Sequence, residues 1–417
     1  MRNRIFSFLA GGLLLLSAGF VTDSRAEDDD KSFKLGGSLR GRYEWMKFRN
    51  DATGSGDIKD TRGRFIYRFR LDGKAKLNPK AGAYFRLVTG NDSRSGNTTL
   101  GSNVDFAPDV LSIRHAALVY TPLANDKGKW NLDFGRVKNP FMWKGGGKDK
   151  MMWDSDIAFS GVSSVYGRKM GDNLKFFANT GYYVIDENKS GDHDPFLAPL
   201  QAGLRFTGDN LKAGVRGTFY YMGELDDEFV KRGAYAKPRE DMTDPASEPI
   251  DTATSSGGNI EDGLTGDPNG GIIRVVEAQA YVGLELGSFP VTAFGGYSNN
   301  TSATASVMFD GVGANGTAYN LGLEAGSKKK ILAGVAGYHI EANAFPSQFI
   351  DSDILDGYTN REGVLVYLAR KVMKNTEFNL QFFVSDAIES FEDHEDLDLS
   401  VANSKRTRLQ VDMIYKF

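Results

Sequence analysis

The sequence predicts an all-β chain, a transmembrane antiparallel β-barrel of about sixteen strands, and three observations predict it. Short runs alternate apolar and polar side chains with a period of two, as a sheet with one apolar and one polar face requires. The connections between runs alternate in length, seven short and eight longer, with both ends of the barrel on the short-turn side, which is the asymmetry of an outer-membrane barrel. Beyond the first residues no segment approaches 18 consecutive apolar residues. That excludes membrane-spanning helices and leaves room for strands, which cross with only about 9 to 11 half-polar residues.

Residues 1–26 read as a signal peptide. Arg2 and Arg4 precede an apolar run from Ile5 to Val21, and Ser24-Arg25-Ala26 offers a small-residue cleavage site before the acidic start Glu27-Asp28-Asp29-Asp30. The run is short for a spanning helix of about 20 residues. Residues 27–417 then form the barrel. They carry 47 basic and 53 acidic residues once the leader's three Arg and one Asp are removed, so there is no basic footprint for nucleic acid. The chain contains no Cys, 49 Gly, 28 Phe and 17 Tyr. An exported protein without disulfides must draw its stability from a large core or a closed hydrogen-bond ladder, and this composition suits the ladder.

In the first run Phe33, Leu35, Leu39, Tyr43 and Trp45 share a face opposite Lys34, Ser38, Arg40, Arg42 and Glu44. The second sets Phe65, Tyr67, Phe69 and Leu71 against Arg64, Arg68, Arg70 and Asp72. Asn78-Pro79-Lys80 turns the chain into a third run with Tyr84 and Arg86 on its polar side, and a fourth ends at Tyr120-Thr121-Pro122. Turns at Gly171-Asp172-Asn173 and Gly208-Asp209-Asn210 punctuate the next strands, and a long, Gly-rich, acidic loop covers 222–271. Alternation resumes at Val276 with Glu277 and Glu285 on the polar face, and further turns fall at Gly287-Ser288, Ser327 to Lys330, and Met373 to Thr376. The last run sets Leu409, Val411, Met413, Tyr415 and Phe417 against Arg406, Arg408, Gln410 and Asp412. Tyr43, Trp45, Tyr120, Trp130, Tyr221 and Tyr415 lie where interfacial girdles of a barrel fall.

One stretch breaks the pattern. From Gly135 to Val162 the alternation stops, and within it a loop at 137–161 carries Trp143, Trp153, Met142, Met151 and Met152 around Gly145-Gly146-Gly147. Unstructured loops beyond about 12 to 15 residues are usually functional or disordered, and large apolar groups argue against disorder. The segment is expected to pack, and its apolar groups find burial only by folding inward. Lys138, Pro140, Trp143, Asp149, Trp153, Asp154 and Asp156 are the residues expected to form a constriction.

Closure makes the last strand neighbour to the first, so Arg40, Arg42, Arg64, Arg68, Arg70, Arg86, Arg406 and Arg408 form one continuous basic wall inside the barrel. Arg205 and Arg216 continue it sparsely, while Glu277, Glu285, Glu324 and Glu377 face it. Glu44, Asp72 and Asp412 are too few to neutralise the group, and over all inward positions basic groups exceed acidic ones about two to one, an arrangement with which pores favour anions. Asp149, Asp154 and Asp156 are placed to face that wall and set a transverse field. Structural pairing with acidic neighbours is the plainer alternative.

Chemistry of other kinds finds no motif. His115, His193, His339 and His394 are scattered, and no zinc, nucleophile or phosphate-loop pattern is present. The run from Asp186 to Asp194 begins like a calcium loop, but its twelfth position is Leu197. An acidic solvated loop explains it, so no metal or cofactor is expected and no catalytic residue is assigned.

Gly135-Arg136-Val137-Lys138-Asn139-Pro140-Phe141, with Trp153-Asp154-Ser155-Asp156 and Ser160-Gly161-Val162, resembles the putative-porin family of Gram-negative outer membranes, and Tyr415-Lys416-Phe417 extends the likeness to the last strand. The resemblance implies a sixteen-stranded, trimeric pore in the cell outer membrane with its third external loop folded inward. It also implies that Tyr415 and Phe417 form a signal read by the barrel assembly machinery. The chain departs from the pattern in its triple glycine and its very long fifth loop. The expected function is a water-filled channel for passive diffusion of small hydrophilic solutes and ions, with modest anion preference, set among outer-membrane lipid and lipopolysaccharide. The alternative is a non-conducting structural or adhesive barrel acting through its external loops.

Overall fold

The structure, a computed structural model, describes residues 32–50, 60–102, 107–142, 148, 151–188, 193–226, 229–230, 259, 264–265, 270–305, 313–389 and 404–417. The leader (1–26), Trp143, Asp149, most of the fifth loop and part of the calcium-loop-like run lie outside these residues. Strands β1 (Ser32–Asn50), β2 (Asp60–Asn78), β3 (Ala81–Thr89), β4 (Thr98–Thr99), β5 (Leu111–Asn125) and β6 (Gly128–Lys138) lead into the anomalous segment. After it come β7 (Ala158–Lys169), β8 (Leu174–Val184), β9 (Phe196–Thr207), β10 (Leu211–Asp226), β11 (Gly270–Leu286) and β12 (Phe289–Asn300). The wall is completed by β13 (Thr317–Gly326), β14 (Leu332–Ile340), β15 (Arg361–Met373), β16 (Thr376–Ala387) and β17 (Ser404–Lys416).

Every wall strand pairs antiparallel with its sequence neighbours, and β1 pairs with β17 from Ser38↔Lys416 to Asn50↔Ser404. The sheet is therefore a closed cylinder of sixteen strands, which among the described residues leaves no wall strand without a neighbour on either side. The two-residue β4 is not a seventeenth stave. It pairs with β2 at Ile66 and Tyr67, above Arg70, where the pairing with the short β3 has ended.

Side-chain parity is inverted relative to a water-soluble protein. On β1, Leu35 and Leu39 are 61% and 48% exposed while Arg40, Arg42 and Glu44 are 5%, 3% and 0% exposed. An apolar exterior around a charged interior is the pattern lipid demands of a barrel, and the same parity runs through β11, where Val276 and Val282 are exposed and Glu277 is buried.

Three boundaries differ from the sequence reading. The fourth run does not end at Pro122. β5 bulges between Tyr120 and Leu123 and turns only after Asn125, because a residue without an N–H is accommodated at a bulge rather than forcing a stop. The fifth loop is shorter than 222–271, since β10 continues through a bulge after Met222 to Asp226 and β11 begins at Gly270. The third loop is also shorter than 137–161. Val137 pairs with Phe159 and Lys138 with Ala158, so the connection proper is 139–157.

Candidate functional site

The β17–β1–β2 seam places the predicted arginines side by side. Arg42 lies directly across from Asp412, Arg40 from Arg68, and Glu44 from Arg64 on one side and Gln410 on the other. Arg42 donates to Asp412 from Nε (2.6 Å) and Nη2 (2.9 Å). Glu44, fully buried, accepts from Arg64 Nε at 2.7 Å, Arg408 Nε at 2.9 Å and Gln410 Nε2 at 2.9 Å. Arg86 forms a two-pronged pair with its cross-strand partner Asp72 at 2.7 and 3.0 Å. Arg406 stacks its guanidinium over the Tyr358 ring at 4.3 Å. All eight arginines stand opposite the exposed apolar face of their strands.

Two loops meet this wall. Residues 139–157 touch inward-facing groups on widely separated strands. Asn179 of β8 donates to Pro140 O (3.1 Å), Gln201 of β9 and Arg216 of β10 donate to Phe141 O, and Lys148 reaches Gln381 of β16 at 2.6 Å. Tyr338 of β14 donates to Lys148 O. Trp153 sits against Phe159 and Tyr220 with ring centroids 4.9 and 5.6 Å apart, and Phe141, Met151 and Met152 are fully buried in the same cluster. Burial of that much apolar surface, about 25 cal/mol per Å², favours the packing of the segment against these strands. Lys138 at its root lies over the Tyr84 ring at 4.5 Å. Asp156 pairs with Arg70 and, at 3.5 Å, with Arg68, and accepts from Gly96 N at 3.2 Å.

The second loop, 341–360 between β14 and β15, is one that the sequence reading misses. It carries two turns of 3-10 helix (Ser347–Phe349 and Leu355–Gly357). Phe345, Ile350, Ile354 and Leu355 are buried in the cluster formed by the third loop. The two loops clasp one another. Phe349 stacks on Trp153 at 5.1 Å, Asp154 N donates to Phe349 O at 2.8 Å, and Ser352 donates from both N and Oγ to Asp154 Oδ2 at 2.9 Å. Each loop thus caps the other's main chain. Asp353 then reaches the wall. Arg42 donates to it from Nη1 (2.6 Å) and Nη2 (3.2 Å), and Gln410 Nε2 donates at 3.0 Å.

Electrostatics follow from these contacts. Burial opposes the charge on Asp156, but Arg70 and Arg68 outweigh it and hold its carboxyl below the usual range. Against the same cost of desolvation, Arg42, Arg40 and Arg408 hold Asp353 well below that range. Burial pushes Asp154 well above it, with Asp351 and Asp156 adding to the rise.

At the seam, carboxylates from the loops reduce the basic excess that the strands alone give. Six guanidiniums at the seam (Arg40, Arg42, Arg64, Arg68, Arg70, Arg408) meet four carboxylates (Glu44, Asp156, Asp353, Asp412) among the described residues. Two of those four arrive from loops, which strand parity does not count. What remains gathers at Arg40, Arg68 and Arg70, whose Nε atoms are buried without a hydrogen-bond partner among the described residues. Across the barrel Glu277 pairs with Arg216 at 3.0 Å and Glu285 with Lys212 at 2.9 Å, while Glu377, on β16 beside the seam, pairs with Lys328 at 2.5 Å. Arg205 lies over the Phe177 ring at 4.8 Å, and Glu324 accepts from the Tyr367 hydroxyl at 2.9 Å.

Arg114 is a further inward arginine that alternation does not reveal. A bulge between Arg86 and Leu87 shifts the register against β5, so that Arg114 and its neighbour His115 are both buried. Arg114 donates to the carbonyls of Ser93 (2.7 Å), Asp92 (2.8 Å) and Ser95 (3.2 Å), fastening the connection between β3 and β5. At the other end of the wall, Tyr415 and Phe417 lie on the outer face with ring centroids 6.3 Å apart.

A closed sixteen-stranded antiparallel barrel is an architecture that porin structures share, and comparison with known proteins agrees on that barrel. Residues 30–224 match the family model described as putative porin, the family whose pattern 135–141, 153–156 and 160–162 resemble. Among solved structures the chain is similar to OprB of Pseudomonas putida, at 10% identity and a TM-score of 0.52, over 99% of this chain and 97% of that one. It is also similar to the outer membrane channel DcaP of Acinetobacter baumannii (11% identity, TM-score 0.48, 94% and 99% coverage). OmpF of Salmonella typhi aligns comparably (12% identity, TM-score 0.48, 94% and 99% coverage). At such identities the likeness to OprB establishes the barrel fold. No curated protein matches the chain.

Proposed function

We propose that the chain forms a water-filled channel in the outer membrane of a Gram-negative bacterium, through which small hydrophilic solutes and ions diffuse passively with a modest preference for anions. The observation that carries this reading is the inverted barrel whose seam, among the described residues, sets six guanidiniums against four carboxylates. A wall of that composition raises the local concentration of anions, and screening over about 8 Å at physiological salt limits the bias to solutes passing close to it. The third loop narrows the path, and three barrels associate in lipid and lipopolysaccharide after delivery by the assembly machinery.

Single-channel recording in planar bilayers tests the reading. The wild type is expected to conduct, with a reversal potential on the anion side under a potassium chloride gradient and a preference that weakens as salt rises. Removing 145–152 is expected to raise the conductance. A conductance unchanged by that deletion would place the constriction elsewhere. The second reading, a barrel that does not conduct, draws on the apolar cluster of Trp153, Phe349, Phe345 and Tyr220 inside the wall, and absence of any current from folded protein would favour it.

A further inference from the structure

We infer that Arg42, Gln410 and Arg408 form a carboxylate-binding cradle on the barrel wall, that Asp353 of the 341–360 loop occupies it as a built-in ligand, and that it accepts the carboxylate of a solute when that loop yields.

The cradle belongs wholly to strands. Arg42 stands on β1, and Arg408 and Gln410 stand on β17, facing the interior across the seam that closes the barrel. Arg42 and Gln410 are 3% and 0% exposed. Arg42 is fixed from behind by its two hydrogen bonds to Asp412, at 2.6 and 2.9 Å. Its remaining N–H groups point at the Asp353 carboxylate, one to each oxygen at 2.6 and 3.2 Å. Gln410 adds a third donor at 3.0 Å, and Arg408 contributes charge at 3.8 Å. A planar guanidinium offering two parallel N–H groups is the geometry that selects a carboxylate.

The occupant is different in kind. Asp353 is presented by a loop, and its side chain is 27% exposed where those of Arg42 and Arg408 are 1% and 9%. Beyond the carboxylate, the loop is tied to the wall at this point by Arg408 Nη1 donating to Ser352 O at 2.7 Å. Removing Asp353 therefore leaves a cradle whose arginine is still oriented by Asp412 and whose donors have lost this acceptor. Such donors gain by taking another carboxylate, because unsatisfied buried groups are costly.

The inference deepens the channel reading and rests on it for the route by which a solute reaches the cradle. Binding itself is measured on folded protein without current, so failure of the one is distinguishable from failure of the other. The probe is sodium acetate, followed by saturation-transfer NMR from the full-length barrel in detergent, with sodium chloride added to keep ionic strength equal. Asp353→Ala is expected to bind acetate at least tenfold more tightly than the wild type, and Arg42→Gln in the Asp353→Ala background is expected to return affinity to the wild-type level or below. Asp353→Asn, which keeps the shape of the loop, serves the same comparison if the alanine variant does not refold. Equal affinity for acetate in the wild type and both Asp353 variants would overturn the proposal. So would tight binding that survives loss of Arg42.

Discussion

Gly135 and Gly161 face each other across β6 and β7 at the root of the third loop, and both hold positive φ, at 117° and 153°. A Cβ at Gly161 would stand 2.1 Å from Tyr182 O, and one at Gly135 would stand 2.5 Å from Ala116 O. No side chain yields there, because the obstacle in each case is backbone. These two glycines lie within the segments that carry the family resemblance, and their reason for being there is steric: the strands must approach closely just where the chain leaves the wall. Gly161→Ala is expected to destabilise the folded barrel by about 1–3 kcal/mol, combining a positive-φ cost with overpacking. Thermal unfolding in detergent measures it, and a midpoint unchanged from wild type would refute the steric account.

At the scale of elements, what is legible in the sequence and what is not divides by periodicity. Strand parity suffices to put the eight wall arginines on one face, since a period of two fixes the face of each residue once one apolar neighbour is assigned. The third loop is marked by Trp153, Met151 and Met152, which no solvated tip would carry. The loop at 341–360 goes unmarked although Phe345, Phe349, Ile350, Ile354 and Leu355 carry the same signal, because these apolar residues are spaced among Asp, Ser and Asn without a glycine run to mark the break. Asp353 consequently falls outside a charge count made from strands. Arg114 escapes for another reason, a bulge that reverses parity midway through β5.

The two loop carboxylates give the elements a pH dependence with a definite sign. Asp156 and Asp353 are both held below the ordinary carboxylate range by the wall, which lies near 4 for Asp. Depressed values mean that the loop-to-wall pairing is fully present above about pH 4 and is lost only as pH falls through the lower folded-state values. An Asp156→Asn, Asp353→Asn double variant is expected to be more anion-selective than the wild type at about pH 7. The difference should persist down to about pH 4 and close below it, as the wild type loses the same two charges by protonation. Asp154 is replaced by Asn in both proteins, because its own ionisation, which the Asp156 charge opposes, would otherwise differ between them. Reversal potentials across a pH series decide the matter, and a gap that closes already between about pH 5 and 6 would mean that the wall does not hold these carboxylates ionised.

At the scale of the whole molecule, the barrel exists only if its first and last strands meet, and the meeting ends at Phe417. Gly37 N donates to Phe417 O at 2.9 Å and Phe417 N donates to Gly37 O at 3.2 Å, adding a final pair of hydrogen bonds beyond Ser38↔Lys416. The ring, half exposed on the outer face, lies over the glycine: a Cβ at Gly37 would stand 2.6 Å from it and 2.3 Å from Arg70 O. Phe69 of β2 stacks beside it at 6.3 Å, so the terminal ring bridges from β17 across β1 to β2. A role for Phe417 as an address for assembly is what the resemblance implies and remains a proposal, whereas the seam assigns it a mechanical one. The two separate in a protein refolded in detergent without cellular components, where no machinery reads an address. Two main-chain hydrogen bonds at about 0.5–1.5 kcal/mol each set the expected loss on deleting Phe417 at roughly 1–3 kcal/mol before the ring contacts are counted. Gly37→Val, which displaces the ring while keeping the terminal residue, is expected to lower the unfolding midpoint in the same direction. Should the refolded deletion variant unfold at the wild-type temperature, Phe417 would act as an address alone and closure would rest on the pairs from Ser38 to Asn50.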